Sequence, residues 1–321
     1  MNHTQPEPSP EPQFSQQEKN LFLLLFSIWT LLAFSGNLIL IVVYIRNAAL
    51  RSVRSNLYVL SALFSGLNIA IFVFPVNIIA HSTAEGELPF LTDWMCRACV
   101  FWEHISIAAN LLSQTAAAMD FWAQLKWAKS PSKSQTICIV LGVWLASMLA
   151  SAWAPIVYRL HKDPFSCSLN MDYVNAVRWI SLAYDIFFYF FPLCLTAAAN
   201  ASIYCLLKKQ QEIDERKWAE SSMLTWLVIL FGVLLLPYIL LVLLYNFQVK
   251  VSLGDLNAGL LMEVSKAVAY AYDWLAILVF IYFNPEVQAA LLPKPAVRPA
   301  HLKQRRNTIN IDIPLPVTPV D

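Results

Sequence analysis

Seven long apolar stretches dominate the sequence and determine what this chain can fold into. A transmembrane helix needs about 20 predominantly apolar residues to cross the hydrocarbon core of a bilayer. Each stretch reaches that length, so we predict seven membrane-spanning helices, numbered one to seven in chain order. The predicted spans are Leu21–Ile45, Leu57–Ala80, Met95–Leu125, Thr136–Tyr158, Trp179–Leu207, Met223–Phe247 and Ala258–Phe283.

The bilayer also restricts the type of secondary structure. Backbone N–H and C=O groups in lipid must be paired within the protein, and helices meet that requirement. The sequence therefore predicts an all-α membrane protein, a seven-transmembrane helix bundle. Proline removes a helical hydrogen bond and kinks its helix, so we expect kinks at four positions and splayed helix ends around a pocket. The four prolines are Pro75, Pro155, Pro192 and Pro237.

Positive charges between the spans indicate how the bundle is oriented. With the amino terminus outside, 15 of the 22 lysines and arginines lie in the inner loops and the carboxyl-terminal segment. Membrane proteins carry this excess on their cytoplasmic side. We therefore predict a multi-pass plasma-membrane protein with its amino terminus outside and its carboxyl terminus in the cytoplasm.

One bundle between two tails is the predicted domain organisation. Residues 1–20 are acidic and rich in proline, which favours an extracellular disordered tail over a cleavable signal peptide. Residues 21–293 form the bundle, which ends in a short juxtamembrane eighth helix on the inner membrane surface. Residues 294–321 are predicted to be a disordered cytoplasmic tail. The Asn2-His3-Thr4 sequon makes Asn2 a candidate glycosylation site.

Composition and the placement of reactive residues exclude several functions. The net charge of +1 gives no indication of nucleic-acid binding. The five histidines are scattered, and neither a P-loop, a metal-ligand cluster nor a Ser/His/Asp arrangement is evident. We therefore expect no enzyme, no metal and no cofactor. Cys96 and Cys167 fall at the predicted outer surface, where a disulfide is stable, with Cys99 as a competing partner.

Characteristic residues recur along the spans in a fixed order. They are Gly36, Asn37, Asn56, Pro75, Cys96, Asp120, Trp144, Cys167, Pro192, Phe231 and Pro237. In this order and spacing the chain resembles the rhodopsin-like (class A) G-protein-coupled receptors over about residues 21–293. The resemblance implies a Cys96–Cys167 disulfide, an extracellular ligand that is a small molecule, a lipid or a peptide, and a heterotrimeric G protein as cytoplasmic partner.

Several positions depart from the family's pattern. Gly66 stands where the family has the sodium-binding acid of helix two, so we predict that ligand binding does not depend on sodium. Phe121 follows Asp120 in place of arginine and has no donor to offer that acid or a G protein. Leu235 replaces the switch tryptophan of helix six. In our preferred register, Ala276–Phe280 replaces the Asn-Pro-x-x-Tyr motif, and helix eight begins near Asn284.

Glu103 is the leading candidate for contact with a ligand. It follows Cys96 by seven residues, about two helical turns, and the resemblance places it where amine receptors bind an ammonium group. Ionisable groups at membrane depth are functional hypotheses by default. Glu103 binds a cation, pairs internally with Lys266 or His81, or is a solvated group at the mouth of the pocket. Lys266 could conversely bind a ligand carboxylate. The predicted ligand-binding residues are Glu103, Lys266, Tyr270, Asn77, Tyr184 and Tyr238, around a pocket between helices three, five, six and seven.

A further group of polar residues and one separate histidine are predicted nearby. Asn37, Asn110, Asp120 and Asp273 are our candidates for an activation network, with Gln114 beside them; a purely structural role is the alternative. His104 is expected to be a packing residue.

Three functions remain open from the sequence. The first is a receptor that signals to a G protein or another cytoplasmic effector and contacts membrane lipid. The second has the same fold without G-protein signalling, as a decoy, a scavenger or a heteromer partner. The third is a small seven-helix transporter or channel, which broken helices with glycine-rich midplane sites would favour; this chain has only seven glycines.

Overall fold

Seven long helices, a short eighth helix and a small β-hairpin make up most of the chain that the structure describes. A computed structural model describes residues 15–82, 92–162, 165–169, 174–209, 214–247 and 258–291. The helical segments are Gln16–Arg46 (helix one), Ala48–Ser52 (a connecting turn), Asn56–Asn68, Ile69–Val73 and Phe74–Ser82 (helix two), Asp93–Trp127 (helix three), Lys133–Ser151 and Ala154–Val157 (helix four), Val174–Asp185, Ile186–Phe190 and Phe191–Lys209 (helix five), Glu215–Leu234 and Leu236–Asn246 (helix six), Ala258–Tyr270 and Tyr272–Phe283 (helix seven) and Pro285–Leu291 (helix eight). The predicted bundle of transmembrane helices is confirmed.

Six of the long helices are apolar enough over their length to cross a membrane, and helix three is the exception. Helix three has 35 residues but carries several polar and ionisable side chains at membrane depth. Four consecutive residues, Ala108 to Leu111, are all buried. Successive residues point about 100° apart around a helix, so protein surrounds helix three on every side. Its polar groups therefore face other helices and not lipid, which explains its lower hydropathy.

Each of the four intramembrane prolines follows an interruption of regular α-helix. A wider π-helical segment precedes Pro75 at Ile69–Val73, and another precedes Pro192 at Ile186–Phe190. Helices four and six break into turns just before Pro155 and Pro237. The four positions of the predicted kinks thus coincide with local changes of helix type. Helix seven also breaks, at Ala271, without a proline, and the sequence did not predict this break.

A small β-hairpin follows helix four and adds two strands to the predicted all-α fold. Strand β1, Tyr158–Lys162, pairs antiparallel with strand β2, Phe165–Leu169, and Leu160 lies opposite Cys167. A disulfide joins Cys167 to Cys96 at the start of helix three, which confirms the expected pairing. Cys99, the competing partner, is free and buried. The end of the bundle that carries this bond is called the disulfide end below, and the opposite end is called the Asp120 end.

Two helix starts are explained by side-chain capping. Helix one begins at Gln16, earlier than the predicted span, because Ser15 and Glu18 form a capping box. Helix six begins after Asp214, whose carboxylate accepts the backbone N–H of Lys217 at 3.3 Å. That bond, together with the charge of Lys217, lowers the pKa of Asp214 below its usual value. The predicted glycosylation site Asn2, most of the amino-terminal tail and the whole carboxyl-terminal tail lie outside the described residues.

Helix eight begins where the preferred register of helix seven placed it. The Asn284 side chain accepts the backbone N–H groups of Glu286 and Val287, both at 3.1 Å. Its amide also donates to the hydroxyl of Tyr44 on helix one at 3.3 Å. Val287 is fully buried. These contacts fix the short helix against helix one at the Asp120 end.

Candidate functional site

A buried carboxylate on helix three is the centre of the candidate site. Glu103 is 8% exposed, and its Oε1 accepts a hydrogen bond from the hydroxyl of Tyr270 on helix seven at 2.6 Å. The hydroxyl of Tyr238 on helix six lies 3.4 Å from the same oxygen. No described residue donates a hydrogen bond to Oε2. Two helices therefore hold one oxygen of Glu103, and the other oxygen is left for a donor from elsewhere.

Both tyrosines lie next to a break in their own helix. Tyr270 is the last residue before the break at Ala271, and Tyr238 follows the break at Leu235. The ring of Tyr270 packs edge-to-face on Phe74 with 5.2 Å between centroids. The carboxylate on helix three is thus tied to helices six and seven at points where their backbones are not continuous.

Lys266 lies one turn from Tyr270 along helix seven. Its Nζ donates a hydrogen bond to Asn77 Oδ1 on helix two and lies 4.0 Å from Glu263 Oε1. The lysine side chain is 18% exposed. A hydrogen bond to an amide leaves the positive charge of Lys266 in place, and 4.0 Å exceeds hydrogen-bonding distance to the carboxylate.

Glu263 forms a second contact that joins helices two and seven. Its Oε2 lies 3.4 Å from Nε2 of His81. The imidazole stacks on the ring of Phe26 at 5.6 Å and lies 5.3 Å from the ring of Phe22, both on helix one. Glu263 was not among the predicted site residues, although its position three residues before Lys266 on one helix face was a usable signal.

The predicted internal pairing of Glu103 with a base is not what the structure contains. Lys266 and His81 both lie at ion-pair distance from Glu263, and neither lies at ion-pair distance from Glu103. Glu103 instead contacts two tyrosine hydroxyls, one of which, Tyr270, was predicted to face it. The structure thus brings together five predicted residues through hydrogen bonds in two groups: Glu103 with Tyr270 and Tyr238, and Lys266 with Asn77.

Tyr184, a further predicted ligand-binding residue, lies in a separate aromatic cluster. Its hydroxyl donates to the backbone carbonyl of His104 at 2.8 Å and lies 3.2 Å from the hydroxyl of Ser151. The ring of His104 packs edge-to-face on Trp153 and against Tyr184 itself. His104 is thus a packing residue, as expected, and a ligand contact of Tyr184 stays a prediction.

Polar side chains in mid-bundle form short local networks and not one continuous chain. Gln114 donates to Asn110 Oδ1 at 2.6 Å and to the hydroxyl of Tyr272 on helix seven. Tyr272 was not predicted. Ser61 and Ser113 are hydrogen-bonded at 2.8 Å. These contacts tie helix three to helices two and seven.

Gly66 and Asn37 explain why helix two has no acid in mid-bundle. A Cβ atom at Gly66 would lie 2.7 Å from Asn37 Nδ2, which itself donates to the carbonyls of Ala33 and Asp273 at 2.7 and 3.4 Å. Asn37 therefore fills the space that a side chain at position 66 would need. Asp273 and Ser65 are among the residues that line a small cavity of about 10 Å³. Among the described residues, no three His, Cys, Asp or Glu side chains are grouped to hold a metal ion.

At the Asp120 end, an arginine from another part of the chain pairs with the acid of helix three. Arg54, just before helix two, contributes Nη2 at 3.3 Å and Nε at 3.4 Å to the Asp120 carboxylate. Phe121 is buried in an apolar cluster with side chains of helices five and six. Arg216 on helix six pairs with Glu286 on helix eight at 3.1 Å. Neither Arg54 nor Arg216 was predicted, since no local sequence pattern reports contacts between distant segments.

An apolar groove of about 910 Å³ lies on the outside of the bundle, away from Glu103. It runs between helices six, seven and eight and includes Trp226, Leu278 and Tyr282. Leu278 lies two turns beyond Tyr270 along helix seven. The apolar lining at membrane depth fits contact with lipid and not the polar chemistry of the candidate site.

Comparisons with known proteins agree with this architecture. The sequence profile described as 7 transmembrane receptor (rhodopsin family) matches residues 36–286. A QRFP-like peptide receptor from Branchiostoma floridae is 24% identical over 85% of this chain and 77% of that receptor. The rat cholecystokinin receptor type A is 26% identical over 55% of this chain and 38% of that receptor. The human D(1B) dopamine receptor is 26% identical over 50% of this chain and 33% of that receptor.

The helical bundle, its apolar surface and the disulfide define a multi-pass membrane protein of the receptor class, and its relatives are receptors and not enzymes. The family match covers most of the chain. The chain therefore belongs to the rhodopsin family of seven transmembrane receptors, the class A G-protein-coupled receptors.

Proposed function

We propose that this protein is a plasma-membrane receptor that binds a cation-bearing extracellular ligand at Glu103 and signals to a cytoplasmic partner. The disulfide end would face outside and the Asp120 end the cytoplasm, in line with the distribution of lysine and arginine. The observation that carries the proposal is that no described residue donates to Oε2 of Glu103, a buried carboxylate whose other oxygen is shared by Tyr270 and Tyr238.

The electrostatics of the site favour a cation. A buried carboxylate is costly unless it is paired and hydrogen-bonded. Two hydroxyl donors compensate Glu103 only in part, because neither carries a charge. A ligand ammonium or guanidinium at Oε2 supplies that charge and gains a charge-assisted hydrogen bond.

Coupling to the cytoplasmic side would run through helices six and seven. A ligand cation at Oε2 draws the negative charge of Glu103 away from Oε1, which accepts the hydroxyls of Tyr238 and Tyr270. Each of these tyrosines lies within one turn of a break in its helix. A hydrogen bond to a charged group contributes about 1.5–3 kcal/mol. Weakening one such bond shifts the balance between two packings of the helix segments, provided that the ligand binds one packing better.

On the cytoplasmic side we propose a heterotrimeric G protein or another effector as the partner. The basic inner loops also suit contacts with anionic membrane lipid, and the apolar groove beside Trp226 suits acyl chains. The positions of Asn110, Asp120 and Asp273 at and below mid-bundle support a role in transmitting the change, together with Asn37.

A second candidate is a receptor of the same fold that does not activate G proteins. One observation favours it: Phe121, which follows Asp120, is 4% exposed and packs on Ile203 and Leu224. An apolar residue there offers a G protein neither charge nor donor.

One experiment separates the two candidates and tests the site. A library of organic amines is screened for G-protein activation in cells with verified surface expression of the wild-type protein. We expect active amines whose potency falls at least about 30-fold, equivalent to about 2 kcal/mol, in Glu103→Gln. Glu286→Gln, which changes a carboxylate at the far end of the bundle, serves as the matched control. Hits that act equally on Glu103→Gln would contradict the site. A wild type silent to every amine would favour the second candidate if Phe121→Arg, introduced together with Arg54→Met, gains activity.

A further inference from the structure

We propose that the ligand is a zwitterion, with its cation at Glu103 and its carboxylate at Lys266. The inference rests on the proposed function and extends it from the charge of one group to the chemical class of the whole ligand. It follows from two opposite charges of the site that are not paired with each other.

Glu263 lies between the two basic side chains of the site. Its Oε2 is 3.4 Å from Nε2 of His81, which carries a charge only when protonated, and its Oε1 is 4.0 Å from Nζ of Lys266, at the limit of an ion pair. Among the described residues, the carboxylate of Glu103 accepts hydrogen bonds only from hydroxyls and has no cationic partner. The ammonium of Lys266 makes its hydrogen bond to an amide oxygen and not to a carboxylate.

Lys266 keeps donors for a further acceptor. An ammonium group has three N–H donors, and the described residues provide one hydrogen-bond acceptor, Asn77 Oδ1. The nearest oxygen of Glu263 is 4.0 Å away, because that carboxylate is also placed against His81. An incoming carboxylate therefore finds a partly exposed cation with free donors, just as an incoming ammonium finds Oε2 of Glu103.

Helix geometry sets the distance between the two subsites. Lys266 and Tyr270 are four residues apart on helix seven, an axial rise of about 6 Å. Tyr270 marks the depth of Glu103, since its hydroxyl lies 2.6 Å from the carboxylate. The ammonium and the carboxylate of a matching ligand are therefore about 5–8 Å apart. An extended dipeptide spans at most about 7 Å and fits, and so does 5-aminopentanoate, which has the same number of bonds between nitrogen and carboxyl carbon. Glycine is too short.

A single charge in the ligand would leave the other subsite unmatched. An amine alone leaves Lys266 with no charged neighbour nearer than the Glu263 carboxylate at 4.0 Å. A carboxylate alone leaves Glu103 without a cation. A polar or charged group that stays unpaired in a buried site loses affinity. The arrangement thus discriminates in favour of a ligand that carries both charges at the right separation.

The test uses the purified full chain in lipid nanodiscs and measures the shift of its unfolding temperature with ligand concentration. The probes are 5-aminopentanoate, pentylamine, pentanoate and glycine. For each probe we compare the concentration that gives half of the maximal shift in unfolding temperature. We expect this concentration to be at least about ten-fold lower for 5-aminopentanoate than for pentylamine. Pentanoate and glycine should give the smallest shifts.

Variants assign each charge to its subsite. Lys266→Met should abolish the advantage of 5-aminopentanoate over pentylamine without weakening the response to pentylamine, since it removes a cation that an amine leaves unmatched, whereas Lys266→Arg should retain the advantage. Glu103→Gln should reduce both responses. Unfolding temperatures without ligand show whether each variant is folded, and the charge-preserving Lys266→Arg keeps the test valid if Lys266→Met is not.

The possible failures are distinct. If pentylamine equals or exceeds 5-aminopentanoate in the wild type, the zwitterion inference is wrong and the proposed cation site stands. If pentanoate binds best and Lys266→Met abolishes its effect, both are wrong and the site takes an anion. Absence of any shift at millimolar concentrations of all four probes would overturn both proposals.

Discussion

Replacement of Arg54 is the perturbation for which the structure supports the most quantitative expectation. Arg54 lies just before helix two, and its guanidinium is the only charged partner of Asp120 among the described residues. Arg54→Met keeps most of the side-chain length and removes the charge. It leaves the Asp120 carboxylate, whose side chain is 6% exposed, without compensation.

The expected loss of stability is intermediate. Removing one partner of a fully buried ion pair costs about 3–5 kcal/mol. Here the Arg54 side chain is 24% exposed and the N···O distance is 3.3 Å, longer than the roughly 2.7–2.9 Å of a strong charge-assisted hydrogen bond. We therefore expect Arg54→Met to lower the free energy of unfolding by about 1–3 kcal/mol, which corresponds to a fall in Tm of about 2–10 °C.

Thermal unfolding of the purified protein in nanodiscs measures this effect. Arg46→Met is the matched control, because Arg46 is an exposed arginine at the end of helix one and should change stability by less than about 0.5 kcal/mol. Adding Asp120→Asn to Arg54→Met should restore part of the loss, since the neutral amide needs no cation. The reasoning is refuted if Arg54→Met behaves like Arg46→Met, or if the double variant is no more stable than Arg54→Met.

Three further outcomes follow from the described contacts. Gly66→Ala should lower the free energy of unfolding by about 1–3 kcal/mol, because its Cβ would lie 2.7 Å from Asn37 Nδ2; adding Asn37→Ala should reduce that loss in the same unfolding assay. Tyr270→Phe should alter amine potency or basal signalling more than Tyr238→Phe, because the two hydroxyls lie 2.6 and 3.4 Å from the carboxylate, and equal effects would contradict this order. Replacing sodium by potassium should leave ligand affinity unchanged, and a sodium dependence that Asn110→Ala abolishes would contradict the absence of a sodium site.

The outline of the fold could be predicted from the sequence because its causes are local. Apolar length defines a membrane span, and proline interrupts the helix before it. The β-hairpin could not be predicted in this way, because two five-residue strands gain stability from pairing with each other and from the disulfide to helix three. The break at Ala271 has no local signal either, since no proline lies in that part of helix seven.

The candidate site was predictable where helical spacing alone sets depth. Glu103 and Tyr270 meet because each lies a defined number of turns below the disulfide end. Glu263 was missed because its importance depends on His81, which belongs to another helix. Tyr184 was predicted to line the same pocket but packs against His104 on a different side of helix three. Spacing along the sequence gives the depth of a residue in the bundle. It does not give the direction in which a side chain of one helix points relative to another helix, so this placement could not be predicted.

The family has an arginine after the acid of helix three, where this chain has Phe121. The charge balance at Asp120 determines how the effect of that missing arginine can be tested. In this chain Arg54 already neutralises Asp120, and the neighbouring position is occupied by Phe121 within an apolar cluster. Phe121→Arg alone therefore places a second guanidinium among Ile203 and Leu224 with no free acid beside it, and we expect loss of stability and little gain in signalling. In the background of Arg54→Met, the same arginine finds Asp120 unpaired. If the absence of an arginine after Asp120 is what prevents coupling, basal G-protein activation should be higher in the double variant, Arg54→Met with Phe121→Arg, than in either single variant. If the double variant is stable at the cell surface and still silent, the missing arginine is not what prevents coupling.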